Sequence, residues 1–586
     1  MSNPLPVYPF DPERCIGTVA EVSPSSAKVN LPRAAAPAGR THFGTLIGGG
    51  EVGEFVVIEC GDTGVLGRLV NVKLPERERL AVEAELGGVR EAHPIGTIQL
   101  LTTITLSDGK VAGGIAQHPR LGSKVYTAHP DLIKWIAESA GRTSGEIPEK
   151  RLRVASLDSS GSTWVELSPE ILFGRHCAVL GATGGGKSWT VARLIEQAAA
   201  LGGKVLLIDA TGEFHTLKRD AVHFHIGEIP DEAAGTVEVV FPCQGLTEDD
   251  LFALFRPSGQ VQVPKLRDAM KSLKLAALEP ALSDGGIVIK ANKPRKQFDE
   301  AYRKHAASVE GSSAAFDIAM LPRQVEAECV WSSGGTASLR DYSRWGRENE
   351  QELSYCVTLI GRIADMILSR ELACVFQPGV KRTVQEAIDS FLTSPSDRVL
   401  RLSLKQVPFT RNAREIIANA IGRHLLARAR GGKFKAKPLV VFLDEAHQFL
   451  DKTLGDENNR YPLDSFELIA KEGRKFCLTI CIATQRPRDI PDAVLSQMGT
   501  LVVHRLINDR DREVVERASG DIDKSAAAFL PTLAPGQAAL IGVDFPMPLT
   551  VQIEKPLNQP DSRGPDYQKY WSTPHRDRAG RRGEGM

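Results

Sequence analysis

Gly181-Ala182-Thr183-Gly184-Gly185-Gly186-Lys187-Ser188 satisfies the phosphate-binding pattern G-x-x-x-x-G-K-[ST] in full. The residues before it, His176-Cys177-Ala178-Val179-Leu180, read as a buried strand. Those after it, Trp189 to Gln197, read as a helix. Strand, glycine loop and helix together form the context in which the pattern acts. Glycines let the backbone N–H groups turn onto phosphates, and the helix N-terminus adds a favourable dipole. The expected nucleotide contacts are Gly181, Ala182, Thr183, Gly184, Gly185, Gly186, Lys187, Ser188 and Trp189. In this pattern Lys187 reaches the β- and γ-phosphates and Ser188 ligates magnesium.

A second apolar strand, Leu439-Val440-Val441-Phe442-Leu443, ends in Asp444-Glu445. Downstream of a phosphate loop, this pair suits ATP hydrolysis. Asp444 is expected in the magnesium shell, and Glu445 is expected to orient and deprotonate the attacking water. The letters Asp444-Glu445-Ala446-His447 match the box of a large helicase superfamily, but those enzymes carry two tandem lobes. This sequence has one phosphate loop and no second lobe of suitable size. The following strand ends in Ala483-Thr484-Gln485-Arg486-Pro487, where Gln485 is expected to sense the γ-phosphate or the water. Ala470-Lys471-Glu472-Gly473-Arg474-Lys475-Phe476 lies between them. Arg474 is the candidate arginine finger, supplied to a neighbouring subunit, with Lys475 second. A solvated basic helix end is the competing reading of Arg474.

The rest of the chain arranges itself around this loop. Residues 1–150 read as a small β domain, with short β-branched runs such as Ile16–Val22 and Glu54–Cys60 separated by glycine turns. His42, His93, His118 and His129 are too dispersed there to suggest a metal site. Gly141 to Ser168 reads as a polar connection. Residues 151–245 hold the first part of an α/β core. Val205-Leu206-Leu207-Ile208-Asp209 is a further apolar strand ending in a carboxylate. Residues 246–396 read as a helical insertion, opened by a cap at Thr247 followed by three carboxylates. The core resumes over 397–550, and 551–586 reads as a Pro-, Gly- and Arg-rich tail, disordered or ordered only on a neighbour.

Lys+Arg and Asp+Glu both number 72, so the formal net charge is zero and the chain is not a generally basic nucleic-acid binder. Any DNA contact must come from local charge, such as Lys293-Pro294-Arg295-Lys296, for which a solvated helix face is an equal reading. None of the nine cysteines forms a C-x-x-C pair, which points to reduced core residues. With no leader and no apolar run long enough for a bilayer, the expected location is cytoplasmic, with no membrane.

Taken together, the loop, the Asp209-Ala210-Thr211-Gly212-Glu213-Phe214 strand end, the Asp444-Glu445 strand end, and Glu472-Gly473-Arg474-Lys475 leading to Ala483–Pro487 resemble the HerA/FtsK superfamily of ring ATPases. The HerA branch is the better match, because the FtsK branch and the conjugation coupling proteins are membrane-anchored. Gly185 stands where that family usually has Ser, a change that keeps the residue small. The resemblance implies a RecA-like P-loop ATPase core with a helical insertion, preceded by a HAS-barrel. It also implies a homohexamer that uses ATP and Mg2+ to move double-stranded DNA through a central channel. An effector partner is implied too: a NurA-like nuclease in DNA end processing, or a sirtuin-like or nuclease subunit in antiphage defence. The alternative is an ATP-switched scaffold that assembles and regulates such an effector without processive translocation.

Overall fold

A computed structural model of the chain describes residues 5–32, 40–42, 45–47, 49–75, 94–139, 150–157, 163–218, 220–228, 235–336, 339–450, 452–455, 460–519, 524–543, 545, 547–562 and 567–571. His93 and most of the tail beyond Ser562 lie outside these residues.

The N-terminal strands are β1 (Cys15–Val22), β2 (Ser26–Asn30), β3 (Phe55–Cys60), β4 (Thr63–Lys73), β5 (Ile95–Thr105), β6 (Val111–Gly113) and β7 (Lys124–Thr127). They pair in the order β2-β1-β7-β3-β4-β5-β6, and β2 also pairs with β5. That last ladder closes a six-stranded barrel, with β6 as an appendage, and closure removes the exposed strand edges. The alternation of each strand divides its side chains between two environments. Val29, Val56, Ile58, Val65, Leu69 and Ile98 form a core of their own. Val57, Leu66, Ile104 and Tyr126 face the other way and join the core built on the second sheet. At this seam Arg68 donates to Thr550 Oγ1 at 3.2 Å and lies 4.0 Å from the Phe529 ring.

The second sheet contains β8 (Leu152–Ser156), β9 (Trp164–Leu167), β10 (His176–Leu180), β11 (Lys204–Asp209), β12 (Ala221–Ile226), β13 (Val237–Val239), β14 (Val399–Ser403), β15 (Leu439–Leu443), β16 (Leu478–Thr484), β17 (Met498–Val503), β18 (Gln537–Ile541) and β19 (Leu549–Ile553). Its order is β9-β8-β19-β18-β17-β10-β16-β15-β11-β14-β12-β13. Every neighbouring pair from β17 to β13 is parallel, and the β17–β18, β18–β19, β19–β8 and β8–β9 pairs are antiparallel. The strand before the glycine loop, β10, is therefore flanked by β16 and β17. The Asp-Glu strand β15 sits one place further along. Strands β10 and β15 are buried throughout, as strands covered on both faces must be. Cys177 and Val179 point to the barrel side, while Ala178 and Leu180 point to the helical insertion.

Between β13 and β14 the chain is mainly helical, including Glu248–Phe255, Gly259–Leu278, Lys296–Val309 and Glu350–Leu368. Thr247 caps the first of these, accepting from the Asp250 N–H in a reciprocal capping box.

Two segments differ from the sequence reading. The stretch 141–168, read as a connection, contains β8 and β9. Leu152-Arg153-Val154-Ala155 and Trp164-Val165-Glu166-Leu167 place Leu152, Val154, Val165 and Leu167 against the core, and the polar composition masks this alternation. The boundary drawn at 551 falls inside β19. The residues after it are held by the core: Glu196 accepts from the Leu557 and Asn558 N–H groups, at 2.9 and 2.7 Å.

Candidate nucleotide site

The glycine loop is fastened to both neighbours of its strand. The Gly181 N–H donates to Thr484 O of β16 at 3.3 Å, and the Ala182 N–H to Arg505 O beyond β17 at 3.1 Å. Gly184 and Gly186 have φ of 77° and 112°, a region that side chains rarely tolerate. Gly181 is needed for a different reason, because a Cβ there would lie 2.6 Å from His504 Cβ. His504 is fully buried beneath the loop. Its Nδ1 is 2.8 Å from Gln537 O and its Nε2 2.7 Å from Thr190 Oγ1. A carbonyl can only accept, so Nδ1 carries the proton and Nε2 accepts from the threonine. Burial pushes the ring's pKa down to about 4, which keeps it neutral near pH 7.

Helix Lys187–Ala200 begins directly from the loop. A cleft of about 690 Å³ opens at its N-terminus, lined by loop residues, Trp189, Thr211, Glu213, Glu445 and Gln485. Gln552, Lys555 and Ser562 also line it. Lys187 Nζ lies 3.6 Å from Glu445 Oε1. Thr183 Oγ1 donates to Gln485 Oε1 at 2.6 Å, so β16 brings Gln485 directly against the loop. Ser188 Oγ donates to Glu213 Oε2 at 2.9 Å, and Thr211 Oγ1 to Asp444 Oδ2 at 3.2 Å.

The turn carrying Thr211 and Glu213 is shaped by Asp209. Its carboxylate accepts from the Gly212 N–H at 2.8 Å, the Phe214 N–H at 3.1 Å and Arg401 Nε at 2.7 Å. Asp209 and Arg401 are both fully buried. Removing one member of such a pair leaves an uncompensated charge and costs about 3–5 kcal/mol. Arg401→Met is therefore expected to lower unfolding stability by about that amount, read from the denaturant midpoint. Adding Asp209→Asn should recover part of that stability.

Glu445 takes a left-handed conformation, φ 47°, which is costly for a residue with a side chain and redirects its carboxylate at the strand end. Burial works to raise its pKa, but His447, whose Nδ1 is 3.3 Å from Oε2, and Lys187 outweigh it, so the group lies below the usual carboxylate range. Asp444 moves the other way. Burial, then Asp209 and Glu445, hold it well above that range. Glu213 is also raised, first by burial, against the lowering effect of Ser188 and Lys187. Four carboxylates thus gather around Lys187 and Arg401. This oxygen-rich excess of negative charge suits a magnesium ion, which commonly takes one or two protein oxygens together with substrate phosphates. Ser188, now bonded to Glu213, and Asp444, now bonded to Thr211, could hold it.

Arg474 is exposed, in a turn at Gly473–Phe476 before β16, and does not line this cleft. The carboxylate Glu213, the orienting His447 and the support His504 carried no site signal in the sequence beyond the Asp-x-x-Gly-Glu strand end. Lys555 and Ser562 lie in the segment read as tail. All nine cysteines are free thiols.

Residues 152–320 match the family model described as "Helicase HerA, central domain", and residues 429–528 match "Helicase HerA-like C-terminal". The DNA double-strand break repair helicase HerA of Sulfurisphaera tokodaii is 24% identical over 523 residues, covering 86% of this chain and 88% of the relative. That of Pyrococcus furiosus is 22% identical over 454 residues, covering 74% and 73%. Among solved structures, the bacterial conjugative coupling protein TrwB aligns at 14% identity with a TM-score of 0.41, over 75% of this chain and 94% of that one. Among the described residues no helix is long and apolar enough to cross a membrane.

Proposed function

From the premise that the chain is a HerA-like ATPase, carrying that family's central and C-terminal domains in order, we propose that it couples ATP hydrolysis at this cleft to movement along double-stranded DNA. The observation that carries the reading is the convergence of Lys187, Ser188, Asp444, Glu445 and Gln485 from β10, β15 and β16 on one phosphate loop. Bound magnesium would neutralise phosphate charge. Lys187 takes the γ-phosphate in exchange for its contact with Glu445. The freed carboxylate, ionised at neutral pH, orients a water and accepts its proton. Gln485 exchanges its Thr183 partner for the water or the γ-phosphate. Trp189 and Lys555, whose Nζ is 5.9 Å from the indole ring, border the nucleoside end.

The working unit is a hexameric ring in the cytoplasm, with Arg474 completing the neighbour's site and duplex DNA in the channel. An effector protein, a NurA-like nuclease or a sirtuin-like or nuclease antiviral subunit, supplies the chemistry that acts on the target. The test is displacement of a third strand from a triplex by the purified protein with ATP. Displacement that stops with a non-hydrolysable analogue is expected. Nucleotide-dependent effector assembly without displacement would favour the switched-scaffold reading instead.

A further inference from the structure

The turn Asp209–Glu213 touches the nucleotide cleft on one side and a separate surface loop on the other. Arg414, 4% exposed, donates to Ala210 O at 3.1 Å, Lys405 O at 3.0 Å and Val407 O at 2.8 Å. The Leu404 N–H donates to Asp209 O at 2.9 Å. These bonds tie the turn to residues 404–407, the start of the segment 404–412 that follows β14.

The tip of this segment is built unlike an ordinary connection. Arg411 and Asn412 are consecutive residues with φ of 57° and 60°, and Arg256, at the end of the helix Glu248–Phe255, has φ of 48°. Non-glycine residues in this region cost energy and gather at ligand contacts and switches. Phe409 stands 63% exposed, with the guanidinium of Arg414 3.9 Å from its ring centre. Arg362 Nη1 donates to Phe255 O at 2.9 Å and Arg256 O at 2.5 Å, which brings a further guanidinium to the same corner. Among the described residues no carboxylate forms an ion pair with Arg256, Arg362 or Arg411, although Asp365 is near. Burial, then Arg362 and Arg256, lower the Arg411 pKa, as expected where like charges crowd. An anion bound at this corner would offset that repulsion.

We infer that Arg256, Arg362 and Arg411, with the exposed face of Phe409, grip the phosphate backbone of DNA, and that the Asp209–Glu213 turn links this grip to the nucleotide. The inference rests on the DNA reading above and assigns its contact residues. The link is continuous: Ser188 to Glu213, Thr211 to Asp444, and Arg414 to Ala210 and the 404–407 backbone. Guanidiniums that meet phosphates release counterions and carry no base preference.

The test compares the full-length protein with the Arg256→Gln/Arg411→Gln double variant. Binding of a fluorescent random-sequence duplex is followed across a salt series, and ATPase activity is measured with and without DNA. The double variant should lower the slope of log K against log salt by about 0.9 for each phosphate that is no longer neutralised. It should also lose DNA stimulation of ATPase while keeping the DNA-free rate. Arg411→Lys should restore most of the slope where Arg411→Gln does not. An unchanged slope and unchanged stimulation, with wild-type protein binding DNA, would overturn the grip while leaving the DNA reading intact. A lowered slope for a single-stranded probe alone would overturn the duplex assignment. Failure of the wild-type protein to bind either probe would overturn both readings.

Discussion

Glu445→Gln is expected to reduce ATP hydrolysis by about 10²–10⁴-fold, the usual worth of a positioned general base, while nucleotide binding survives. Gln keeps the shape of the side chain and its capacity to hydrogen-bond, but it cannot accept a proton from water. The native geometry makes this residue specific for the role. Lys187 lies 3.6 Å from one carboxylate oxygen and His447 Nδ1 3.3 Å from the other, and together they keep the group ionised despite its burial. Its neighbour Asp444 is pushed in the opposite direction by burial and by Asp209 and Glu445. Two adjacent carboxylates driven apart in this way suit the two proposed roles, Glu445 as the base and Asp444 as a magnesium ligand. The measurement is phosphate release at saturating ATP beside equilibrium binding of a fluorescent nucleotide. Binding within a few-fold of wild type, with hydrolysis abolished, supports the assignment. Hydrolysis at the wild-type rate would remove Glu445 from the mechanism.

Much of this site is legible in the sequence because its chemistry is concentrated at strand ends. The loop needs glycines at fixed offsets, and Asp444 and Gln485 each follow an apolar run, so three elements can be placed from the residues alone. The sideways arrangement of the strands is what the sequence does not convey. Nothing in the apolar run ending at Val503 marks His504 as the residue beneath the loop, because its partners Thr190 and Gln537 are distant in the chain. Glu213 is visible as a pattern, but its contact with Ser188 depends on β11 and β10 being separated by two strands in the sheet. The strands β8, β9 and β19, at one end of the sheet, are obscured for another reason. They lie in polar surroundings, where half-buried alternation over four or five residues is a weak signal beside abundant Gly, Ser and Pro. The start of the tail is hidden likewise, since backbone N–H groups at Leu557 and Asn558 are held by Glu196 rather than by apolar packing.

Arg474→Ala is expected to depress ATPase activity by about 10³–10⁵-fold, the range for removal of an arginine finger, without altering fold or nucleotide affinity. The sheet makes the sharing of sites a geometric necessity if Arg474 acts at all. β16 runs parallel to β10, with Cys481 beside Cys177 and Thr484 beside Leu180. Arg474 precedes the start of β16, whereas the glycine loop follows the end of β10. Five strand residues rise about 16 Å, beyond the reach of an arginine side chain packed at the opposite end. Within its own chain Arg474 is exposed and does not line the cleft. The consequence is open to a mixing experiment. Arg474→Ala subunits retain Lys187, and Lys187→Ala subunits retain Arg474. In randomly assembled rings about one interface in four would then join an intact loop to an intact finger, so about a quarter of wild-type activity should return if interfaces act independently. Each variant alone stays inactive. Mixed rings, verified by differential tagging, that remain inactive would place Arg474 outside the shared site. An Arg474→Ala protein with full activity would reduce it to a solvated helix end and move attention to Lys475.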